Sequence, residues 1–199
     1  MHYIETEDNF SVMKLMIIWG STRQERKGGP VAYWVKSVAK RDKRFDKVDF
    51  VDLRELNLPF YDEPVDAFSI AKPEDYTSPE GQAWAERVIK SDAVILVTPE
   101  YNHGPPAVLK NALDYVGNPW IDKPVGLISY GGRVGGARAI EQLRSITIEL
   151  GLINVANAIH FVRFSRTFES GEEPSEVSNE SLQKMFSEII RLHTAFSKP

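Results

Sequence analysis

Strand-like apolar runs alternate with amphipathic stretches along most of the chain. Predicted strands occupy residues 15–19, 48–53, 93–97 and 125–129, each rich in apolar residues and followed by turn-forming ones. The third run is wholly apolar, which is typical of a strand buried on both faces of a parallel sheet. Residues 152–162 predict a fifth strand, at an edge of the sheet because its polar side chains can reach water.

Between the strands, apolar residues recur at three- and four-residue intervals, the period of a helix with one buried face. The second of these predicted helices begins with Ser78 as its N-cap and has Pro79 in its first turn. Similar apolar stripes follow at 109–116, 137–150 and 182–196. Strands alternating with helices in this way predict an α/β fold, a parallel sheet with helices on both faces. The apolar face of the first predicted helix, after the first strand, comprises Val31, Trp34, Val35, Val38 and Ala39.

One domain accounts for the length of the chain. A chain of 199 residues is long enough for one substantial core and rather short for two. We assign residues 14–199 to this domain and expect residues 1–13, which begin polar and acidic, to form a flexible leader. Residues 65–77 show no clear period and predict a surface excursion, and residues 171–178 predict a polar loop.

Composition narrows the classes of function. The net charge of −4, with no strongly basic segment, argues against a nucleic-acid partner. No apolar run approaches the length needed to cross a bilayer, and the N-terminus lacks a signal-peptide pattern, so we expect a cytoplasmic protein without membrane insertion. The chain has no cysteine, which excludes disulfides and thiol nucleophiles. Any redox chemistry would therefore belong to a bound cofactor.

The first strand-to-helix loop, residues 20–29, has the chemistry of a phosphate site. Ser21 and Thr22 offer hydroxyl and backbone N–H donors, and Arg23 and Arg26 carry guanidinium groups that fit phosphate oxygens. The start of the following helix also favours an anion. A hydrogen bond to a charged group contributes about 1.5–3 kcal/mol, so two such arginines can anchor a phosphomonoester. The open alternative is an ordinary loop whose arginines are solvated.

Three better-known motifs do not fit. A Walker A loop needs a glycine five residues after its first, but Glu25 stands five residues after Gly20. Residues 131–136 lack the G-x-G-x-x-G spacing because Arg133 occupies the middle position. A hydrolase nucleophile elbow would need a glycine where Leu127 stands. The histidines show no metal-ligand spacing, so we expect no metal site.

Three loops are expected to meet at the carboxyl edge of the sheet: residues 20–29, 98–106 and 130–136. In the strand order 2-1-3-4-5 the first, third and fourth strands are adjacent, and a crevice opens where the order reverses. The first loop can then hold a phosphate, while the other two can hold a flat heterocycle attached to it.

These loops resemble the NADPH-dependent FMN reductase family, which includes flavodoxin-like quinone, azo and chromate reductases. The resemblance rests on GSTR at residues 20–23, on TPEYN at 98–102 followed by PAVLKNAL at 106–113, and on the glycine-rich residues 130–136. It spans residues 14–162 in order and spacing. It implies a flavodoxin-like α/β fold, a doubly wound five-stranded parallel sheet in the order 2-1-3-4-5 with helices on both faces.

The resemblance implies FMN as the cofactor and NADPH or NADH as co-substrate. Ser21, Arg23 and Arg26 would bind the FMN phosphate, with backbone help from Thr22. The residues that would border the isoalloxazine are Pro99, Glu100, Tyr101 and Asn102. Those that would lie along its pyrimidine side are Tyr130, Gly131, Gly132 and Arg133. Reduced flavin carries negative charge near N1 and C2=O, which backbone N–H groups of this last loop can stabilise.

The chemistry is expected to take place on FMN, so no residue is assigned as certainly catalytic. Glu100 and Tyr101 are candidates for positioning roles, because hydride transfer to flavin N5 needs no protein base. Trp19 departs from the family pattern, in which a smaller apolar residue is usual, and is expected to crowd the sheet.

The resemblance also implies a homodimer or homotetramer with the flavin near a subunit interface, which residues 57–64 can approach. The expected partners are small-molecule electron acceptors, namely a quinone, a free flavin, an azo compound or an oxidised metal ion, reduced by ping-pong kinetics. The alternative is an electron carrier or FMN-binding regulatory module without its own NAD(P)H activity. A dedicated carrier is usually more acidic than −4, which favours the enzyme.

Overall fold

The computed structural model, which describes residues 13–163 and 175–197, contains a six-stranded parallel sheet. Its strands are β1 (Met13–Trp19), β2 (Phe45–Asp52), β3 (Ala93–Pro99), β4 (Pro124–Gly131), β5 (Ile153–Asn154) and β6 (Ile159–Val162). Their order is β2-β1-β3-β4, and both β5 and β6 pair with the outer edge of β4. The predicted order is confirmed, while the predicted fifth strand is split into two short segments.

The split in the fifth strand coincides with backbone groups between β5 and β6 that form hydrogen bonds with side chains. Between β5 and β6, the Arg144 side chain donates to the carbonyl of Ala156 at 2.9 Å, and the Glu188 carboxylate accepts the Ala156 N–H at 3.1 Å. Side chains from two helices thus replace the partners that a continuous strand would find on β4. Val155 is buried at this break, so the chain remains packed on the sheet.

The described part of the chain contains six α-helices, besides three short 3-10 helices: α1 (Gly29–Arg41), α2 (Leu53–Leu56), α3 (Pro79–Ile89), α4 (Ala107–Asp114), α5 (Ala137–Glu149) and α6 (Glu176–Phe196). Helix α3 begins as predicted, with the Ser78 hydroxyl accepting the Gly81 N–H at 3.1 Å. Two expectations near α6 were wrong. Residues 176–178 are helical and not part of a loop, and Phe196 is 53% exposed and lies outside the core.

Two apolar layers lie on opposite faces of the sheet. One packs Met16 and Ile18 of β1 with α3, α4 and α5, and the other packs Leu15, Ile17 and Trp19 with α1 and α6. Alternate residues of one strand thus face opposite layers. This arrangement confirms helices on both faces and leaves the carboxyl ends of the strands free to build a site.

The ends of the predicted domain and its surface excursion differ in detail from the expectations. Strand β1 begins at Met13, which is buried, and the rest of the predicted leader lies outside the described residues, as do residues 171–174 of the predicted loop. The predicted excursion packs against the core, because Ile70 and Tyr76 are buried and the Tyr76 hydroxyl donates to the carbonyl of Tyr115 at 2.8 Å. In the part of the chain described, no helix has the length and apolarity to cross a membrane.

Candidate active site

A cavity of about 540 Å³ opens at the carboxyl ends of β1, β3 and β4. The three predicted loops and the end of β6 supply its lining: Ser21, Arg23, Glu25, Arg26, Lys27, Pro99, Glu100, Tyr101, Asn102, Tyr130, Gly131, Gly132 and Arg163. The structure therefore brings together every predicted site residue except Thr22 and Arg133, which do not line the cavity. Three lining residues, Glu25, Lys27 and Arg163, were not predicted.

Tyr101 lies across the loop that was predicted to bind phosphate. The Ser21 hydroxyl is 2.9 Å from the Tyr101 hydroxyl, and the Arg23 guanidinium lies 3.8 Å from the centre of the Tyr101 ring. Ser21 is buried, whereas Arg23 is exposed and gains a cation–π contact. Two predicted phosphate ligands are thus held close together by an aromatic side chain from the neighbouring loop.

Arg26 lines the cavity, but its guanidinium is engaged by a residue that was not predicted to belong to the site. Its two terminal nitrogens donate to the two carboxylate oxygens of Asp52, and one of them also donates to the carbonyl of Ser21 at 2.7 Å. The guanidinium also stacks on Trp19, with 3.8 Å to the ring centre. Because both charged side chains are largely buried, the Arg26–Asp52 pair fixes the shape of the loop.

Trp19 and Tyr130 form the floor beneath the phosphate loop. The Trp19 indole N–H donates to the Tyr130 hydroxyl at 3.1 Å, and both side chains are buried. A Cβ atom at Gly28 would lie 2.0 Å from the Tyr130 ring, so only glycine allows this close approach. Burial raises the pKa of Tyr130, so the phenol remains protonated. The large indole therefore has a hydrogen-bond partner in the floor, and Trp19 remains paired with Val97 in the ladder of β1 and β3.

The loop after β3 contains a tight hairpin turn that presents Tyr101. Asn102 and His103 have φ values of 49° and 70°, and the main chains of Tyr101 and Gly104 exchange two hydrogen bonds of 2.9 and 3.0 Å. Two successive left-handed residues are the signature of a type I′ turn, which asparagine tolerates well. The turn directs Tyr101 toward the cavity and leaves the exposed His103 at its tip.

Glu100 links the same loop to helix α5. Its carboxylate accepts the Arg138 N–H at 3.1 Å and pairs with the Arg138 guanidinium at 3.0 Å. A carboxylate in this place also complements the positive end of the helix dipole. These contacts are consistent with the expected positioning role of Glu100, since they leave it bound to the helix terminus.

The glycine-rich loop after β4 is held by strand β6. The Ser129 hydroxyl donates to the carbonyl of Gly135 at 2.7 Å and lies 2.8 Å from Nδ1 of His160. A hydroxyl has one proton, so the hydroxyl that donates to Gly135 must accept from a protonated Nδ1. Gly136 has φ 87°, and a Cβ there would lie 2.8 Å from the Ser129 side chain. Sequence motifs did not reveal the pairing of Ser129 with His160, which depends on the parallel register of β4 and β6.

Protonation of His160 makes the free energy of unfolding depend on pH. Burial, followed by the positive charge of Arg144, lowers the pKa of His160, so the unfolded chain binds this proton more readily than the native one. The resulting loss of stability begins as pH falls below about 6.5, the ordinary histidine value. We expect His160→Asn, whose amide can still donate to Ser129, to lose less unfolding free energy than the parent between about pH 6.5 and pH 5. Urea titrations with equal pH slopes for both proteins would contradict this.

The strand order and the cavity at the carboxyl ends of the strands define a flavodoxin-like protein. Residues 13–165 match the model of the NADPH-dependent FMN reductase family. The chain belongs to this family, whose members use FMN with NADPH or NADH as co-substrate.

Several characterised relatives share this family. An NAD(P)H-dependent FMN reductase of Schizosaccharomyces pombe is 38% identical over 133 residues, which cover 67% of this chain and 64% of the relative. The chain thus spans just under two thirds of that relative's length. An NAD(P)H-dependent FMN reductase of Saccharomyces cerevisiae is 35% identical, with 67% and 73% of the two chains covered. A 2-hydroxy-1,4-benzoquinone reductase of a Burkholderia species is 31% identical, with 86% and 91% covered.

Solved structures confirm the fold. The flavoenzyme NAD(P)H:(acceptor) oxidoreductase FerB of Paracoccus denitrificans has a TM-score of 0.70 at 21% identity, covering 92% of this chain and 98% of FerB. Flavodoxin 1 of Bacillus cereus has a TM-score of 0.54 at 15% identity, covering 89% and 97%. The flavodoxin-like architecture predicted from the sequence is therefore confirmed.

Proposed function

We propose that this protein is an FMN-dependent oxidoreductase that oxidises NADPH or NADH and reduces a small acceptor such as a quinone in the same open cavity. The observation that carries the proposal is the convergence of a phosphate-type loop, an aromatic side chain and a glycine-rich loop on one cavity. When bound, FMN would supply the redox chemistry by taking a hydride at N5 and passing the electrons on.

The described residues fit this cofactor in size and in chemistry. A cavity of about 540 Å³ lies within the range of ligand sites, about 300–1,000 Å³. Ser21 and Arg23 provide hydroxyl and guanidinium donors at one end, as a phosphate requires. At the other end, a Cβ built on Gly132 would meet nothing within 4 Å, so a planar ring can approach that backbone closely.

Each part of the site has a distinct proposed role. Ser21 and Arg23 bind the phosphate directly, with the Thr22 backbone, while Arg26 acts by holding the loop through Asp52. Tyr101, presented by its hairpin turn, borders the ring together with Pro99, Glu100 and Asn102. Gly131 and Gly132 approach the ring with their backbone. Because one cavity would serve both NAD(P)H and the acceptor, the two must bind in turn, which predicts ping-pong kinetics.

A spectroscopic titration tests this function. Apoprotein mixed with FMN should bind it, and anaerobic addition of NADPH or NADH should bleach the bound flavin without another protein. Steady-state rates at several quinone concentrations should then give parallel double-reciprocal lines. An electron carrier would bind FMN but keep it oxidised until a partner reductase is added. Failure to bind FMN would exclude both functions.

We also propose that the protein forms a homodimer or homotetramer through the loop after α2. Phe60, Val65 and Phe68 are 75%, 48% and 44% exposed. Phe60 is nevertheless held in place, because the Asn111 side chain hydrogen-bonds the neighbouring Pro59 carbonyl at 2.7 Å and the Tyr61 N–H at 3.1 Å. Several exposed apolar side chains on one segment favour a contact surface.

Phe60→Ser is expected to weaken self-association by roughly tenfold or more, since burying a phenylalanine side chain contributes about 1.5–3 kcal/mol. Sedimentation equilibrium measures the association constant. Phe196→Ser is the matched control, because Phe196 is similarly exposed but lies at the end of α6. A parent protein that is monomeric at all concentrations, or equal effects of both substitutions, would contradict the assignment.

A further inference from the structure

Arg163 brings a cation to the part of the cavity lined by the glycine-rich loop, which follows β4 and is separated by β3 from the strand that precedes the phosphate loop. It follows the last residue of β6 and lines the cavity, whereas Arg133, predicted for this end, does not. Its N–H donates to the carbonyl of Gly132 at 2.8 Å. Its φ of 48° is left-handed, a conformation that costs free energy in a residue other than glycine. Arg163 is thus held against the glycine-rich loop by a main-chain hydrogen bond and by a strained backbone conformation.

The same part of the cavity offers hydrogen-bond donors of the Arg163 side chain beside the backbone of Gly132. Among residues 13–163 and 175–197, no carboxylate pairs with the Arg163 guanidinium. Space is open beside Gly132. A cation beside an accessible stretch of backbone favours a ligand edge that carries hydrogen-bond acceptors and, in one redox state, negative charge.

We propose that Arg163 stabilises the negative charge of reduced FMN at the pyrimidine edge of the ring. This inference rests on the proposed function, in which the phosphate occupies the opposite end at Ser21 and Arg23. The dimethylbenzene edge of isoalloxazine has no acceptor, so the pyrimidine edge, with N1 and C2=O, is the one that suits Gly132 and Arg163. The oxidised ring is neutral and the reduced ring is anionic when N1 is deprotonated. A fixed cation therefore favours the reduced state more strongly than the oxidised one.

The test compares Arg163→Gln and Arg163→Lys with the matched control Arg133→Gln. Dissociation constants of oxidised and reduced FMN are measured anaerobically on each apoprotein, together with the midpoint potential of the bound flavin. We expect Arg163→Gln to weaken reduced FMN about tenfold more than oxidised FMN, which lowers the two-electron potential by about 30 mV. Arg163→Lys should restore most of this shift, and Arg133→Gln should leave it near the parent value.

A measurement on the parent protein alone supplies a second test, independent of whether a variant folds. If the bound reduced flavin stays anionic, the potential falls by about 30 mV per pH unit across the range in which N1 of free reduced FMN titrates, because one proton accompanies two electrons. A slope near 60 mV per unit on the acid side would show a neutral reduced flavin and overturn the proposal.

Other outcomes separate this inference from the proposed function. If the parent binds FMN and Arg163→Gln weakens both redox states equally, the charge-stabilising role is wrong while the oxidoreductase proposal stands. If Arg163→Gln raises the KM for NADPH but not for NADH and leaves the potential unchanged, Arg163 contacts the coenzyme phosphate instead. If the parent does not bind FMN at all, the proposed function itself fails.

Discussion

Asp52→Ala is expected to lower the free energy of unfolding by about 3–5 kcal/mol, because it leaves the buried Arg26 guanidinium without its counter-charge. The two side chains are only 13% and 4% exposed, so water cannot replace the lost carboxylate well. Urea denaturation of the apoprotein measures the effect. The loss should extend to FMN binding, since Arg26 also holds the carbonyl of Ser21.

Two variants separate the charge from other roles of Asp52. The Asp52 carboxylate also accepts the Arg54 N–H at 2.9 Å and thereby caps α2. Asp52→Asn keeps this acceptor but removes the charge, so it should remain strongly destabilised. The double variant Arg26→Met with Asp52→Leu removes both charges and should recover much of the stability, as apolar replacements of buried ion pairs often do. A double variant less stable than Asp52→Ala would show that the pair does not act as a buried ion pair.

Arg23→Ala is expected to weaken FMN binding by about tenfold to a hundredfold, the equivalent of one charged hydrogen bond worth about 1.5–3 kcal/mol. The melting temperature of the apoprotein should change little, because Arg23 is exposed, contacts the Tyr101 ring and makes no ion pair with any residue in 13–163 or 175–197. Isothermal titration of apoprotein with FMN measures the affinity.

Riboflavin is the matched control ligand for Arg23, because it has the ring of FMN and lacks the phosphate. The parent and Arg23→Ala should bind riboflavin with equal affinity, while only FMN distinguishes them. Arg133→Ala, on a neighbouring loop but outside the cavity, should leave FMN affinity unchanged. An equal loss of affinity for riboflavin and FMN would show that Arg23 contacts the ring and not the phosphate.

The fold and the loops of the site could be predicted because both depend on local patterns. A wholly apolar run such as residues 93–97 belongs to the middle of a parallel sheet, and parallel strands all end at the same edge. Loops that follow the first, third and fourth strands must therefore meet. The identities of Ser21, Arg23 and Tyr101 then indicated the chemistry, and the structure places these three in contact.

The parts that could not be predicted depend on contacts between distant residues. Arg26 has the residue type of a phosphate ligand, but its partner Asp52 ends a different strand, and only the pairing of β1 with β2 brings them together. The side chain of Tyr130 lies beneath the phosphate loop because Gly28 leaves room for it. Arg163 was missed because it follows the edge strand and belongs to no motif, and only the pairing of β6 with β4 places it beside Gly132.

The broken edge beside β4 has a consequence for association in crowded solution. A long exposed strand offers a ladder of unpaired amides on which another chain can add its own strand, and this is a common route to aggregation. Here the outermost segments are two and four residues long, and side chains of Arg144 and Glu188 occupy backbone groups between them. Addition of a further strand is thereby discouraged on this side of the sheet.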